Sequence, residues 1–168
     1  EIAGGAGADI LVGAAGDDLI EGGLDDDLVF GGDGVDALDG GAGDDSLSGD
    51  AGDDEILGAS GGDDLHGGEG RDRLSGEYGN DYLDGGAGDD DLHGGDGGDA
   101  LIGGAGDDVL DGAEGKDLLM GGAGADRFLL ASDGAPDFLA DLEASDVFVL
   151  PEGIEAAALD FQRASDEF

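Results

Sequence analysis

The sequence has no cysteine, which excludes a disulfide framework and any thiolate metal or catalytic site. Five Lys and Arg stand against 45 Asp and Glu, a formal net charge of -40. Phosphate contacts need cationic side chains, so nucleic acid and anionic membrane are excluded as direct partners. No apolar run approaches the roughly 20 residues that span a bilayer, so no transmembrane segment is expected. With two histidines, the chain offers almost no soft or borderline metal ligands. Forty glycines in 168 residues, together with that charge, would ordinarily describe a disordered chain.

The glycines are periodic, and the period reverses that expectation. Residues 4 to 129 are fourteen copies of Gly-Gly-x-Gly-x-Asp-x-U-x, with U apolar and no insertion or deletion. Position one is always glycine: Gly4, Gly13, Gly22, Gly31, Gly40, Gly49, Gly58, Gly67, Gly76, Gly85, Gly94, Gly103, Gly112 and Gly121. Position six is always aspartate, and position eight is always apolar, from Leu11 and Ile20 to Leu119 and Phe128. Position four departs from glycine once, at Asp25, and position two varies at Ala14, Asp50, Ala59, Glu77 and Ala113. Strict repetition of this kind marks a stacked array.

Glycine permits φ > 0 and close backbone approach, so positions one to six read as a tight turn and positions seven to nine as a short strand. The position-eight side chain then points one way and its neighbours the other. Two nonapeptides make one flattened 18-residue coil, repeats n and n+2 stack about 4.8 Å apart, and position eight from both walls fills a thin core. The expected fold is an all-β parallel roll of about seven coils. One edge should carry Asp9, Asp27, Asp45, Asp63, Asp81, Asp99 and Asp117; the other should carry Asp18, Asp36, Asp54, Asp72, Asp90, Asp108 and Asp126.

Such ladders need cations. At that spacing and an effective dielectric of about 20, each like-charge pair costs roughly 3 kcal/mol. One buried aliphatic per nine residues, worth about 1.5 to 3 kcal/mol, falls short of ordering those residues. Metal binding must supply much of the folding free energy. Carboxylates with turn carbonyls are hard oxygen ligands that favour calcium, whose coordination is larger and more tolerant than that of magnesium. Sites near Asp25, beside the cationic Arg71 and Lys116, and at Gly62 and Gly98, which lack a position-five acid, should be weakest. Asp17, Asp26, Asp44, Asp53, Asp89 and Asp107 at position five either raise the local anionic potential or are solvated turn residues.

Segments such as Gly40-Gly41-Ala42-Gly43-Asp44-Asp45-Ser46-Leu47-Ser48 and Gly103-Gly104-Ala105-Gly106-Asp107-Asp108-Val109-Leu110-Asp111 resemble the nonapeptides of repeats-in-toxin (RTX), haemolysin-type calcium-binding proteins. The resemblance implies a right-handed parallel β-roll (β-solenoid) that is disordered without calcium. It implies ions between stacked turns, held by the position-six carboxylates and by turn carbonyls, here those of the position-one glycines. It also implies type I secretion from a Gram-negative cell and folding in external calcium.

Ile2 falls in phase with position eight, and residues 1–3 read as the tail of a preceding nonapeptide. The array is therefore expected to continue upstream of residue 1; no initiator Met or signal segment is present. After Leu129 glycine nearly vanishes. Residues 130–168, with Asp133-Gly134, Asp137-Phe138-Leu139-Ala140-Asp141-Leu142 and Asp146-Val147-Phe148-Val149-Leu150, resemble the strand cap and C-terminal secretion region that follow many RTX arrays. Ala144-Ser145 and the terminal Ser165-Asp166-Glu167-Phe168 depart from that pattern. A short helix is expected over Ile154 to Phe161.

One outer wall is apolar at both ends, with Ile10, Val12, Leu28 and Phe30 at one and Ile102, Leu118 and Met120 at the other. The segment after Leu130 is expected to fold back over the second group, and an upstream domain or protein partner to contact the first. Catalysis is not expected within these residues. His66 and His93 should face opposite walls as surface residues, no P-loop Lys follows the glycines, and the bidentate Glu and helices of an EF-hand are missing. The chain thus reads as a calcium-binding module of a secreted or cell-surface protein, in a structural or adhesive role. The alternative is the C-terminal secretion and folding module of an exported enzyme or toxin (metalloprotease, lipase, alginate epimerase, cytolysin) with its catalysis upstream.

Overall fold

The computed structural model describes residues 1–130, 135 and 137–150. Among them, seventeen strands follow in chain order: β1 Ile2–Ala6, β2 Ile10–Ala15, β3 Leu19–Leu24, β4 Leu28–Asp33, β5 Ala37–Ala42, β6 Ser46–Ala51, β7 Glu55–Ser60, β8 Asp64–Glu69, β9 Arg73–Gly79, β10 Tyr82–Ala87, β11 Asp91–Gly97, β12 Ala100–Ala105, β13 Val109–Gly115, β14 Leu118–Ala123, β15 Arg127–Leu129, β16 Phe138–Ala140 and β17 Val147–Val149. Odd strands form one nine-stranded sheet and even strands an eight-stranded one. Every pairing is parallel, and within the array each joins residues 18 apart, as in Leu92↔Leu110 and Leu83↔Leu101. The result is a parallel β-solenoid of about eight turns, with no helix among the described residues. The helix expected over Ile154 to Phe161 lies outside them.

The fourteen position-eight residues form one continuous buried core between the sheets, with Ile2, Leu130, Leu139 and Phe148 packed against it. Only Leu11, in the first complete repeat, reaches 9 % exposure. The strands are longer than the three residues expected. Ladder pairing continues through the glycines, as at Gly5↔Gly23, so positions one to three belong to strands and the turn narrows to positions four to six. Position two shows why: Gly23 has φ +121°, and a Cβ there would collide with the carbonyl oxygen of Gly5 in the coil before. Backbones without side chains stack closely enough to go on pairing where a turn was expected.

The segment after the array also departs from expectation. Among its described residues, β16 pairs edge to edge with β14 rather than folding back over Ile102, Leu118 and Met120, placing Phe138 beside Leu118 and Ala140 beside Met120. β17 pairs with β15 in the same way, and Phe148 stacks on Phe128 with ring centroids 5.6 Å apart. The unpaired amides and carbonyls of an edge strand are a stronger demand than cover for scattered outer apolars. Leu118 accordingly stays 39 % exposed. The stack thus runs to Val149, two half-coils past the last nonapeptide, with one two-residue insertion that stretches the register to 20.

Candidate metal centre

The turns are tied to one another by two sets of side-chain bonds that run in opposite senses, one at position six throughout the ladders and one at position five where an acceptor stands there. The position-six carboxylate reaches back one coil, where its Oδ1 accepts the amide N–H of the aspartate 18 residues earlier. Asp27 takes the amide of Asp9 at 2.8 Å, Asp45 that of Asp27 at 2.7 Å, and Asp126 that of Asp108 at 3.0 Å. Both edges keep this pattern, so the structure assembles the two aspartate ladders as the period predicts.

Position five reaches forward. Oδ1 of Asp17, Asp26, Asp44, Asp53, Asp89 and Asp107 accepts the position-five amide of the next coil at 2.9 to 3.1 Å, and the amide oxygen of Asn80 does the same for Gly98. These side chains are therefore more than solvated turn residues. They stitch coil to coil, a role that the neutral Asn80 fills equally well. At position four, Asp25 holds φ +70° and its carboxylate accepts the amide of Gly7 at 3.1 Å.

The other position-six oxygen is the anomaly. On Asp9, on every ladder aspartate from Asp27 to Asp108, and on Asp126, Oδ2 is buried without a hydrogen-bond partner. A native fold rarely leaves a buried carboxylate oxygen unsatisfied. Position one explains the surroundings. The point where a Cβ of Gly22 would sit lies 2.6 Å from Asp27 Oδ2 and 2.6 Å from the carbonyl oxygen of Gly40; Gly13 stands likewise between Asp18 Oδ2 and the carbonyl of Gly31. Any side chain would fill that cradle. Glycine at position one thus brings a bare carboxylate oxygen and a carbonyl of the next coil together, repeatedly, along both edges.

Burial pushes the carboxyls of Asp63, Asp72 and Asp99 up to about 6 and that of Asp108 up to about 7. The amide bond to Oδ1 pulls each back down, and the neighbouring ladder carboxylates push it up again. Asp45, Asp54, Asp81, Asp90 and Asp126 are raised for the same leading reason. Such carboxylates need either a proton or a cation beside them. Among the described residues no three Asp, Glu, His or Cys side chains converge on one point. A cation held here would draw most of its ligands from backbone carbonyls, a donor set suited to a large hard ion.

His66, on β8, sits between Asp64 and Asp84 at 3.0 and 3.9 Å, while His93, on β11, faces Asp111 at 3.5 Å. They belong to opposite sheets and share no site. The sequence reading missed the continuation of the ladders: Asp137 and Asp146 take the amides of Asp117 and Asp126 at 3.4 and 3.3 Å. Their signal is Asp-x-apolar repeated at nine residues, in Asp137-Phe138-Leu139 and Asp146-Val147-Phe148.

A family model described as RTX calcium-binding nonapeptide repeat, in four copies, matches residues 3–38, 30–65, 57–92, 66–101 and 93–128. The matches together cover three quarters of the chain. No curated protein matches it. Among the described residues no helix is long and apolar enough to cross a membrane.

Proposed function

We propose, since this chain belongs to the RTX calcium-binding nonapeptide repeat family, that it is a calcium-binding β-roll module of a secreted or cell-surface bacterial protein, folding on calcium outside the cell. The observation that carries the reading is the row of buried, unpartnered Oδ2 atoms along both edges. Position-six aspartates hold the ions through Oδ2, with turn carbonyls, including those of the position-one glycines, completing the shell. Calcium supplies the positive charge that lets neighbouring carboxylates within each ladder stand about 4.8 Å apart. The chain's own residues do the rest. Oδ1 fixes each carboxylate to the coil before it, an Asp or Asn at position five fixes its turn to the coil after it, and glycine leaves room for the ligands.

The module is non-catalytic in this reading and serves a structural or adhesive role. Residues 130–168 act as its cap and secretion region. The outer patch of Ile10, Val12, Leu28 and Phe30, where Ile10 is 73 % and Val12 55 % exposed, contacts an upstream domain or protein partner. Titrating calcium into the metal-stripped chain while following far-UV circular dichroism tests the central claim, with magnesium as control. A cooperative coil-to-sheet transition specific to calcium is expected. A sheet spectrum that persists in chelator at neutral pH would overturn the reading.

A further inference from the structure

The second half-coil after the last family match, residues 141–149, has lost every glycine of its turn. By register, β16 on β14 places residues 141–146 directly over the last repeat turn, 121–126, and they read Asp-Leu-Glu-Ala-Ser-Asp. Asp141 occupies the position-one glycine column. It has φ +50°, a conformation that glycine adopts freely and aspartate tolerates better than most residues. Its carboxylate accepts the amides of Gly121 and Gly122, so it grips the turn whose glycine column it continues. Asp146 stands in the position-six column. Its Oδ1 accepts the amide of Asp126 at 3.3 Å, and its Oδ2 accepts that of Glu143 at 2.7 Å. Ser145 donates its hydroxyl to the carbonyl of Gly124 at 2.8 Å.

Asp126 closes the lower of these two turns and is 0 % exposed, with its Oδ2 buried without a partner. That oxygen faces the backbone of Gly121, the same glycine whose amide Asp141 holds. The negative charges of Asp146 and Asp141 bear on it. A fully buried carboxylate oxygen with no donor needs a proton or a cation beside it, and a divalent cation would answer the charge of both turns at once.

We propose that the glycine-free turn 141–146 closes a terminal calcium site against the last repeat turn, and that this ion latches the strands after the array onto the roll. The proposal rests on the calcium reading above. Asp126 supplies the bare carboxylate oxygen. Asp146, with lone pairs left on both oxygens, supplies the second carboxylate. Asp141 is a positioning residue that ties this turn to the amides of Gly121 and Gly122. The latch reaches beyond residue 128, where the family match ends.

Amide hydrogen exchange on the whole chain, in chelator, calcium or magnesium, resolves the latch from the array. Calcium should protect Val147–Val149 as well as the repeats. In Asp146→Asn, which keeps the acceptor to the Asp126 amide and gives up the one to the Glu143 amide, the calcium midpoint for protecting Val147–Val149 should rise roughly tenfold or more on loss of a charged ligand. The midpoint for strands β3 to β11 should stay unchanged, and the calcium count should fall by one. Asp141→Asn, which keeps one acceptor oxygen, should shift the same midpoint less. If calcium protects the repeats while Val147–Val149 exchange identically in chelator and calcium, or if Asp146→Asn leaves both count and midpoint intact, the latch is wrong and the calcium reading stands. If calcium protects neither region, the calcium reading fails and the latch with it.

Discussion

Position six divides its labour between two oxygens of one side chain, one hydrogen-bonded and one bare. The pH response of the metal-free chain follows from that division. Asp63, Asp72 and Asp99 titrate near 6 and Asp108 near 7 in the folded chain, against about 3.9 for an unfolded aspartate. A raised folded pKa contributes stability that is fully present below the unfolded value and is lost as pH rises through the folded one. In rigorously metal-free buffer, strand signal in circular dichroism should therefore be greatest near pH 4 and fall between about 4 and 7; a signal that grew with pH would refute the burial argument. Position five predicts a different contrast. Asp44→Asn should leave stability nearly unchanged, whereas Asp44→Ala, which removes the acceptor for the Gly62 amide, should cost about 0.5 to 1.5 kcal/mol in calcium-loaded thermal melts. Equal losses in both variants would mean that charge, not hydrogen bonding, is what position five provides. At position two, Ala59 holds φ +77° in a column otherwise suited to glycine. Ala59→Gly should stabilise the loaded roll by up to about 1 kcal/mol, after the entropy that glycine loses on folding is deducted.

A strand here is stable only through its neighbours in the stack, because one apolar side chain per half-coil builds no core of its own. Leu74 on β9 is fully buried and lies between Ile56 and Leu92 in the same sheet. Leu74→Ala should destabilise by about 2 to 5 kcal/mol, and the damage should be local. Amide exchange should accelerate in β7, β9, β11 and the facing β8 and β10, while β1 to β3 and β13 to β15 keep their protection. Uniform acceleration would instead mean that the roll unfolds as a single cooperative unit. The stacking register of this element was legible in the sequence, since glycine at one, aspartate at six and an apolar residue at eight hold the offset to multiples of nine, and one turn with one strand closes only half a coil, which gives the 18-residue pairing seen from Ile2↔Ile20 onward. What followed Leu129 was less legible. Asp137 and Asp146 keep the nine-residue spacing, but two inserted residues break phase with the array and the glycines that flagged the turns are gone, so strands that extend the sheet read as a flap over its outer face. The forward stitch at position five was hidden for another reason. A sequence shows an acceptor at that site, and the direction in which it bonds depends on the path of the turn.

For the whole molecule, the formal charge of -40 acts on two scales that solution conditions can separate. Long-range repulsion expands the metal-free chain, and added salt screens it as the Debye length shrinks from about 10 Å at 0.1 M to about 3 Å at 1 M. The buried Oδ2 atoms are a short-range problem. Screening from outside cannot satisfy an oxygen sealed between two turns, which needs a ligand within coordination distance. One molar sodium chloride should therefore contract the metal-free chain in small-angle scattering without producing strand signal in circular dichroism. Calcium at a far lower concentration should produce both the contraction and the strands. If concentrated sodium chloride alone raised the strand signal to the calcium level, diffuse repulsion would be the barrier to folding, and the unpartnered oxygens of the two ladders would not be what makes this fold depend on its cation.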